Sequence, residues 1–204
     1  MIKIPCLFVR KFANYKPVAI LPEVTPGCEW VLMGDGVATR KRDGTACLVR
    51  DGLPFKRYDA KKGKIPPANF LPVQPTPDPI TLHWPGWLPI LAHDKSNKWH
   101  TIAWSEWCTV LGQALADGTY ELCGPHFQGN PESLISDGFF RHGSEVEPNA
   151  PRDFEGLRLW LASYIGEGIV FHHPDGRMVK IRRTDFDWPW PLKQALVHAL
   201  GDEP

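Results

Sequence analysis

Gly166-Glu167-Gly168-Ile169-Val170-Phe171-His172-His173-Pro174-Asp175-Gly176-Arg177-Met178-Val179-Lys180-Ile181-Arg182-Arg183 carries the clearest structural pattern in the chain. β-Branched and aromatic residues fill both arms, and Pro-Asp-Gly between them supplies the turn chemistry of an antiparallel hairpin. Side chains alternate along each arm with a period of two. A two-residue turn at Asp175-Gly176 or a four-residue turn from His173 places Glu167, Ile169 and Phe171 on one face with Met178, Lys180 and Arg182. A carboxylate and two cations then project together, either as a cross-strand surface ion cluster or as part of a site.

Upstream, Asp-Gly pairs recur at 35–36, 43–44 and 51–52, eight residues apart. Asp-Gly suits tight hairpin turns, so Val37–Arg42, Thr45–Arg50 and Leu53–Tyr58 are expected to form an antiparallel meander. Trp99–Trp104 alternates like a strand, Glu106–Ala116 is helix-like, and Thr119–Cys123 reads as a strand before a Gly124-Pro125 break. Phe154, Leu157, Leu161, Tyr164 and Ile165 recur at helical spacing, which predicts an amphipathic helix over 152–165. Residues 65–98 carry eight prolines between Pro66 and Pro89 among several tryptophans, so that segment is an ordered extended lid or a linker. Strand groups with a few helices predict an α+β fold, with one domain over 1–204.

Composition narrows the function classes. The 204 residues include nine Trp and ten Phe, ample material for a core, and 21 Pro, which exclude a long-helix protein. Lys+Arg and Asp+Glu both number 23, so no whole-protein basic field marks a nucleic-acid binder. Between Val37 and Pro66, however, nine basic residues stand against three acids, and an anionic ligand is expected there. Five cysteines without a CxxC pair read as reduced thiols, with no zinc knuckle and a cytoplasmic setting. No apolar window approaches the 18 or so residues of a membrane span, and residues 1–16 lack a secretory signal pattern. No obligate protein partner is evident.

Lys41-Arg42-Asp43-Gly44 is a K-x-D-G motif, weak by itself. It gains weight from the segments downstream of it, which come in this order: Arg57 in a basic strand, Tyr120-Glu121-Leu122-Cys123-Gly124, Phe139-Phe140, Glu167-Gly168-Ile169-Val170-Phe171, and Val179-Lys180-Ile181-Arg182. In this series the sequence resembles the ATP-dependent RNA ligases of the lysyl-nucleotidyltransferase superfamily, which also holds DNA ligases and capping enzymes. The segments are similar to motifs I, Ia, III, IIIa, IV and V, and together cover roughly residues 37–185. Thr45-Ala46 after Gly44, in place of the arginine usual in DNA ligases and capping enzymes, is closer to RNA ligases. Glu121-Leu122-Cys123-Gly124-Pro125 followed by Gly129-Asn130-Pro131-Glu132 further resembles the compact 5′–3′ RNA ligase 1 type. The sequence departs from many ligases at Arg182, where a second lysine of motif V is common; arginine keeps the charge but not the compact geometry.

The resemblance implies an adenylation domain of antiparallel sheets with flanking helices; because the chain ends soon after the motif V segment, no separate oligonucleotide-binding domain is expected. It also implies ATP and Mg²⁺ as cofactors, and RNA ends bearing a 5′-phosphate and a 3′-hydroxyl as partners, in RNA repair. Lys41 would become the lysyl-AMP nucleophile, assisted by Lys180 and Arg182, since a free lysine near pKa 10.4 is mostly protonated at neutral pH. Glu167 would hold the metal, Arg57 and Lys180 would contact phosphate, and Glu121 would accept from ribose hydroxyls. Phe140, or Phe139, would stack adenine unless both are core, and Asp43 would orient a base or serve only its turn. A capping-type guanylyltransferase, a minimal DNA ligase and a non-catalytic nucleotide- or RNA-binding module remain the alternatives.

Overall fold

The structure is a computed structural model that describes residues 3–14, 16–110, 112 and 114–192. Among the described residues, eleven strands, two α-helices and three 3₁₀ turns form two compact units. The chain passes from the second unit (Ile4–Asp43) into the first (Gly44–His142), then returns at Gly143. The strands are β1 (Phe8–Ala13), β2 (Lys16–Val24), β3 (Val37–Lys41), β4 (Thr45–Arg50), β5 (Leu53–Ala60), β6 (Leu71–Pro72), β7 (Trp84–Pro89), β8 (Gly118–Cys123), β9 (Gly138–Arg141), β10 (Gly168–His172) and β11 (Met178–Arg182). Helix α1 spans Lys98–Val110 and α2 spans Phe154–Ser163. All strand pairs within these sheets are antiparallel, so the architecture is α+β.

The first unit is a six-stranded sheet in the order β6-β7-β5-β4-β8-β9. One face carries Cys47, Val49, Tyr120, Leu122 and Phe139, and α1 covers it with Ala103, Trp104 and Trp107. Residues expected as a strand at 99–104 are therefore helical. His100, Ala103, Trp104 and Trp107 recur every three to four residues, and packing of that stripe outweighs the local alternation. The helix ends at Val110, short of Ala116, and the described Gly112 takes a left-handed φ of 60°, a conformation that terminates helices. Leu111 and Gln113, within the expected helix, lie outside the described residues. In the proline-rich segment, Leu71–Pro72 and Trp84–Pro89 add two strands to the sheet beside β5.

The second unit has a three-stranded sheet, β11-β10-β3, and the separate hairpin β1-β2. Its core gathers Leu7, Phe8, Trp30, Val31, Ile169, Phe171, Val179 and Ile181 against Leu157 and Leu161 of α2. The Asp153 carboxylate caps α2 by accepting from Gly156 N at 2.9 Å, and Leu157 and Leu161, one turn apart, face inward.

The expected meander is broken, and the three Asp-Gly pairs serve three purposes. Only Asp51-Gly52 is a two-residue hairpin turn: Arg50 pairs with Leu53, and φ is 54° and 70° at the two turn residues. Asp35-Gly36 precedes β3, where a Cβ on Gly36 would lie 2.6 Å from the His172 carbonyl oxygen. At Asp43-Gly44 the chain leaves β3 without pairing it to β4; β3 joins β10 instead. A dipeptide sets local φ values, whereas the choice of partner strand rests on which apolar face can be buried.

Candidate active site

In the second unit, strand register places the charges. Gly168 pairs with both Lys41 and Arg182, and Val170 with both Thr39 and Lys180. Directly paired residues share a face, so Lys41, Thr39, Lys180 and Arg182 project together. Ala38, Ile169, Phe171, Val179 and Ile181 point the other way, into the core. The expected grouping of Ile169 and Phe171 with Lys180 and Arg182 is thus wrong. The connection is a five-residue loop, His173–Arg177, with His172 opposite Met178. An odd loop in place of an even one moves each side chain to the opposite face. Glu167 escapes the alternation because it sits one residue before β10. Its buried carboxylate turns back to the cations, in ion-pair contact with Lys41 Nζ and with Oε1 3.9 Å from Arg182 Nη1.

The backbone around these groups admits little change. A Cβ on Gly168 would lie 2.2 Å from the Ile181 carbonyl oxygen and 2.7 Å from Arg182 Cα, so the strand beside Glu167 requires glycine. Lys180 is held from the second side too: its N–H donates to the Pro5 carbonyl at 3.0 Å, and its carbonyl accepts from Leu7 N at 2.8 Å. Arg182 is anchored by Asp185, whose Oδ2 accepts from Arg182 N at 2.9 Å and whose Oδ1 accepts from Arg182 Nη2 at 3.2 Å. Arg10 Nη2 donates to the same Oδ1 at 2.5 Å. Asp43 Oδ2 accepts from Trp190 Nε1 at 2.7 Å, and Arg42 forms a two-pronged pair with Glu145 at 2.8 and 2.5 Å.

Electrostatics follow from this packing. Burial, reinforced by the Lys41 and Arg182 cations, holds the Lys180 ammonium down to about 8. Burial pushes the Glu167 carboxyl up, and Lys41 pulls in the opposite direction. Lys41, Lys180, Arg182 and Arg10 outnumber Glu167 and Asp185, so the cluster suits a polyanion placed against an amine and a carboxylate already in contact. Among the described residues no group of three or more His, Cys, Asp or Glu side chains could hold a metal. Glu167 alone fits a hard cation retained largely by its own water shell.

In the first unit, Glu121 pairs with Phe140 of β9 and with Ala46 of β4, on the sheet face opposite α1. Phe139 is 4% exposed and packs edge-on to Trp104 and Trp107, so it is a core ring; Phe140 is the half-buried ring beside Glu121. Glu121 Oε1 accepts from Gly44 N at 3.1 Å, and Oε2 lies 2.9 Å from His142 Nε2. Gly44 has no alternative here, since a Cβ would stand 2.3 Å from the Leu122 carbonyl oxygen. Arg57, two residues from Phe55 and so on the face of Leu48, donates to Asp59 at 2.9 Å and lies 5.5 Å over the Trp87 ring.

Lys41, Glu167, Lys180 and Arg182 are therefore gathered within one unit, with Asp43 two residues past Lys41; Arg57, Glu121 and Phe140 share a sheet face in the other. Sequence reasoning missed Arg10 and Asp185, 175 residues apart, which no local pattern couples. It also missed His142, which the period of two from Phe140 would have placed beside Glu121.

No protein-family model matches the chain. Three curated proteins named RNA ligase 1 do: that of Rattus norvegicus at 27% identity, that of Mus musculus at 26% and that of Danio rerio at 24%. The matches cover 96–97% of this chain and 84% of each relative.

Proposed function

Starting from the RNA ligase family assignment that these similarities support, we propose that the chain is an ATP-dependent RNA ligase working through a lysyl-AMP intermediate on a nucleotidyltransferase fold. The observation that carries this reading is the contact of Lys41 with buried Glu167 on the sheet face that also bears Lys180 and Arg182.

Lys41 Nζ, once deprotonated, forms a bond to the α-phosphorus of ATP as the bond to pyrophosphate breaks and that group leaves with the electron pair. Glu167, in contact with Nζ and pushed toward protonation by burial, is a base at hand for the proton. Lys180 and Arg182 favour loss of that proton by like charge, and stabilise the charge that grows on the phosphate oxygens. A 5′-phosphate oxygen of RNA then takes the adenylyl group and frees Lys41. Attack by a 3′-hydroxyl on that 5′-phosphorus forms the new phosphodiester and releases AMP. Mg²⁺ held through its water shell by Glu167 would neutralise phosphate charge. Phe140 would cover the adenine, Glu121 would accept from the ribose, and Arg57 would contact phosphate; Asp43 would hold the segment after Lys41 through Trp190.

The test is intact mass of the denatured protein after incubation with Mg²⁺ and ATP or GTP. An AMP adduct is expected with ATP, absent from Lys41→Ala. A GMP adduct would instead favour a capping-type enzyme, and no adduct from either nucleotide a binding module. Nicked RNA, open RNA strands and nicked DNA, each with a 5′-phosphate, then identify the polymer that is joined.

A further inference from the structure

His142 follows β9 by one residue and continues its pairing, its N–H donating to the Thr119 carbonyl at 3.0 Å. Two residues beyond Phe140, it projects from the same sheet face as Phe140 and Glu121, away from the aromatic core. There its ring nitrogen Nε2 meets Glu121 Oε2 at 2.9 Å, while Glu121 Oε1 takes the Gly44 N–H at 3.1 Å. A glutamate carboxylate otherwise turns freely about its last torsion. Tied through both oxygens to two separate donors, this one has its plane set.

The chemistry of the pair assigns the imidazole proton. An ionised carboxylate only accepts, so the ring nitrogen that faces it, Nε2, is the donor of this bond. Nδ1 is enclosed and has no hydrogen-bond partner among the described residues. A buried polar atom left in that state is unfavourable until a polar group meets it. The His142 side chain is 23% exposed and that of Glu121 13%, so the pair lies at the surface of the sheet rather than in its core. Each carboxylate oxygen retains a second lone pair. With Phe140 as the neighbouring apolar ring, the unused acceptors suit a ligand that joins a flat base to a sugar with free hydroxyls.

We infer that His142 is a positioning residue for sugar recognition: it aims the Glu121 carboxylate at the ribose hydroxyls of the nucleotide and so favours a ribonucleotide over its deoxy analogues. The inference rests on the proposed reading of this protein as one that takes ATP. His142 does not touch the reacting atoms. Its effect is exerted through Glu121, and it falls on the binding of the sugar rather than on transfer from Lys41.

The experiment measures the rate of AMP-adduct formation against nucleotide concentration for ATP, 2′-deoxyATP and 3′-deoxyATP. It compares the wild-type chain with His142→Ala, His142→Gln and Glu121→Ala. A hydrogen bond to a charged acceptor is worth about 1.5–3 kcal/mol, which sets the scale at about tenfold or more. In His142→Ala the preference for ATP over at least one deoxy analogue is expected to fall about tenfold, chiefly through a higher KM for ATP. His142→Gln, whose amide can still donate to Glu121, is expected to keep most of the preference, and Glu121→Ala to lose it. An unchanged preference in His142→Ala overturns the inference. So does an equal loss of rate on all three nucleotides, the mark of a merely structural residue. Absence of any adduct from the wild-type chain is a different failure: it removes the ATP reading itself, and the role of His142 with it.

Discussion

Replacement of Lys180 by Met is expected to make the protein more stable at neutral pH while removing the proposed adenylylation. Lys180 is half-buried beside Lys41 and Arg182, and burial with those charges brings its pKa from 10.5 to about 8. Holding the ammonium charged under those conditions costs up to about 3 kcal/mol. Below pH 8 both folded and unfolded chains carry the proton, and the full penalty is present. Between pH 8 and 10.5 the unfolded chain binds more protons than the folded one, so wild-type stability rises with pH; above 10.5 both are neutral and the penalty is gone. Methionine keeps the apolar stem of the side chain without the charge. Glu167 retains Lys41 and Arg182 as partners, so no carboxylate is stranded. Lys180→Met should therefore exceed wild type by about 2–3 kcal/mol at pH 7 and match it near pH 10.5. In a chain of this length each kcal/mol moves the melting temperature by about 2–4 °C, so thermal unfolding of the two proteins at pH 7, 8, 9 and 10.5 resolves the effect. A variant no more stable than wild type at pH 7, or one whose advantage stays constant with pH, rules out that this amine is held at a cost for function.

Asp185→Ala should destabilise the second unit by about 3–5 kcal/mol, because two guanidinium groups lose a nearly fully buried carboxylate; urea titration measures it, and a loss under about 1 kcal/mol contradicts the network. Gly168→Ala should cost about 2 kcal/mol or more, since its Cβ would meet the Ile181 carbonyl oxygen at 2.2 Å, and fluorescence-monitored denaturation should show the shift.

Much of this protein is legible in its sequence. The hairpin of β10 and β11, the capped helix α2 and the Asp51-Gly52 turn depend on near neighbours, through period-two alternation, an N-cap carboxylate and positive φ. The same holds for the nomination of Lys41, Glu121, Glu167 and Lys180, which rests on short segments in order. The choice of partner strands belongs to the folded molecule. Val37–Lys41 left the expected meander for β10, and only that pairing brings Lys41 opposite Gly168, with Glu167 beside it. Folding also assigned the faces: one residue more or less in the His173–Arg177 loop exchanges core for site, and no propensity distinguishes the two. Phe139 and Phe140 are identical residues side by side, separated only by which face of the sheet α1 covers. The coupling of Arg10 and His142 to distant carboxylates has the same origin. Local conformation follows from adjacent residues, whereas charge contacts depend on surfaces that meet only after the apolar faces are buried.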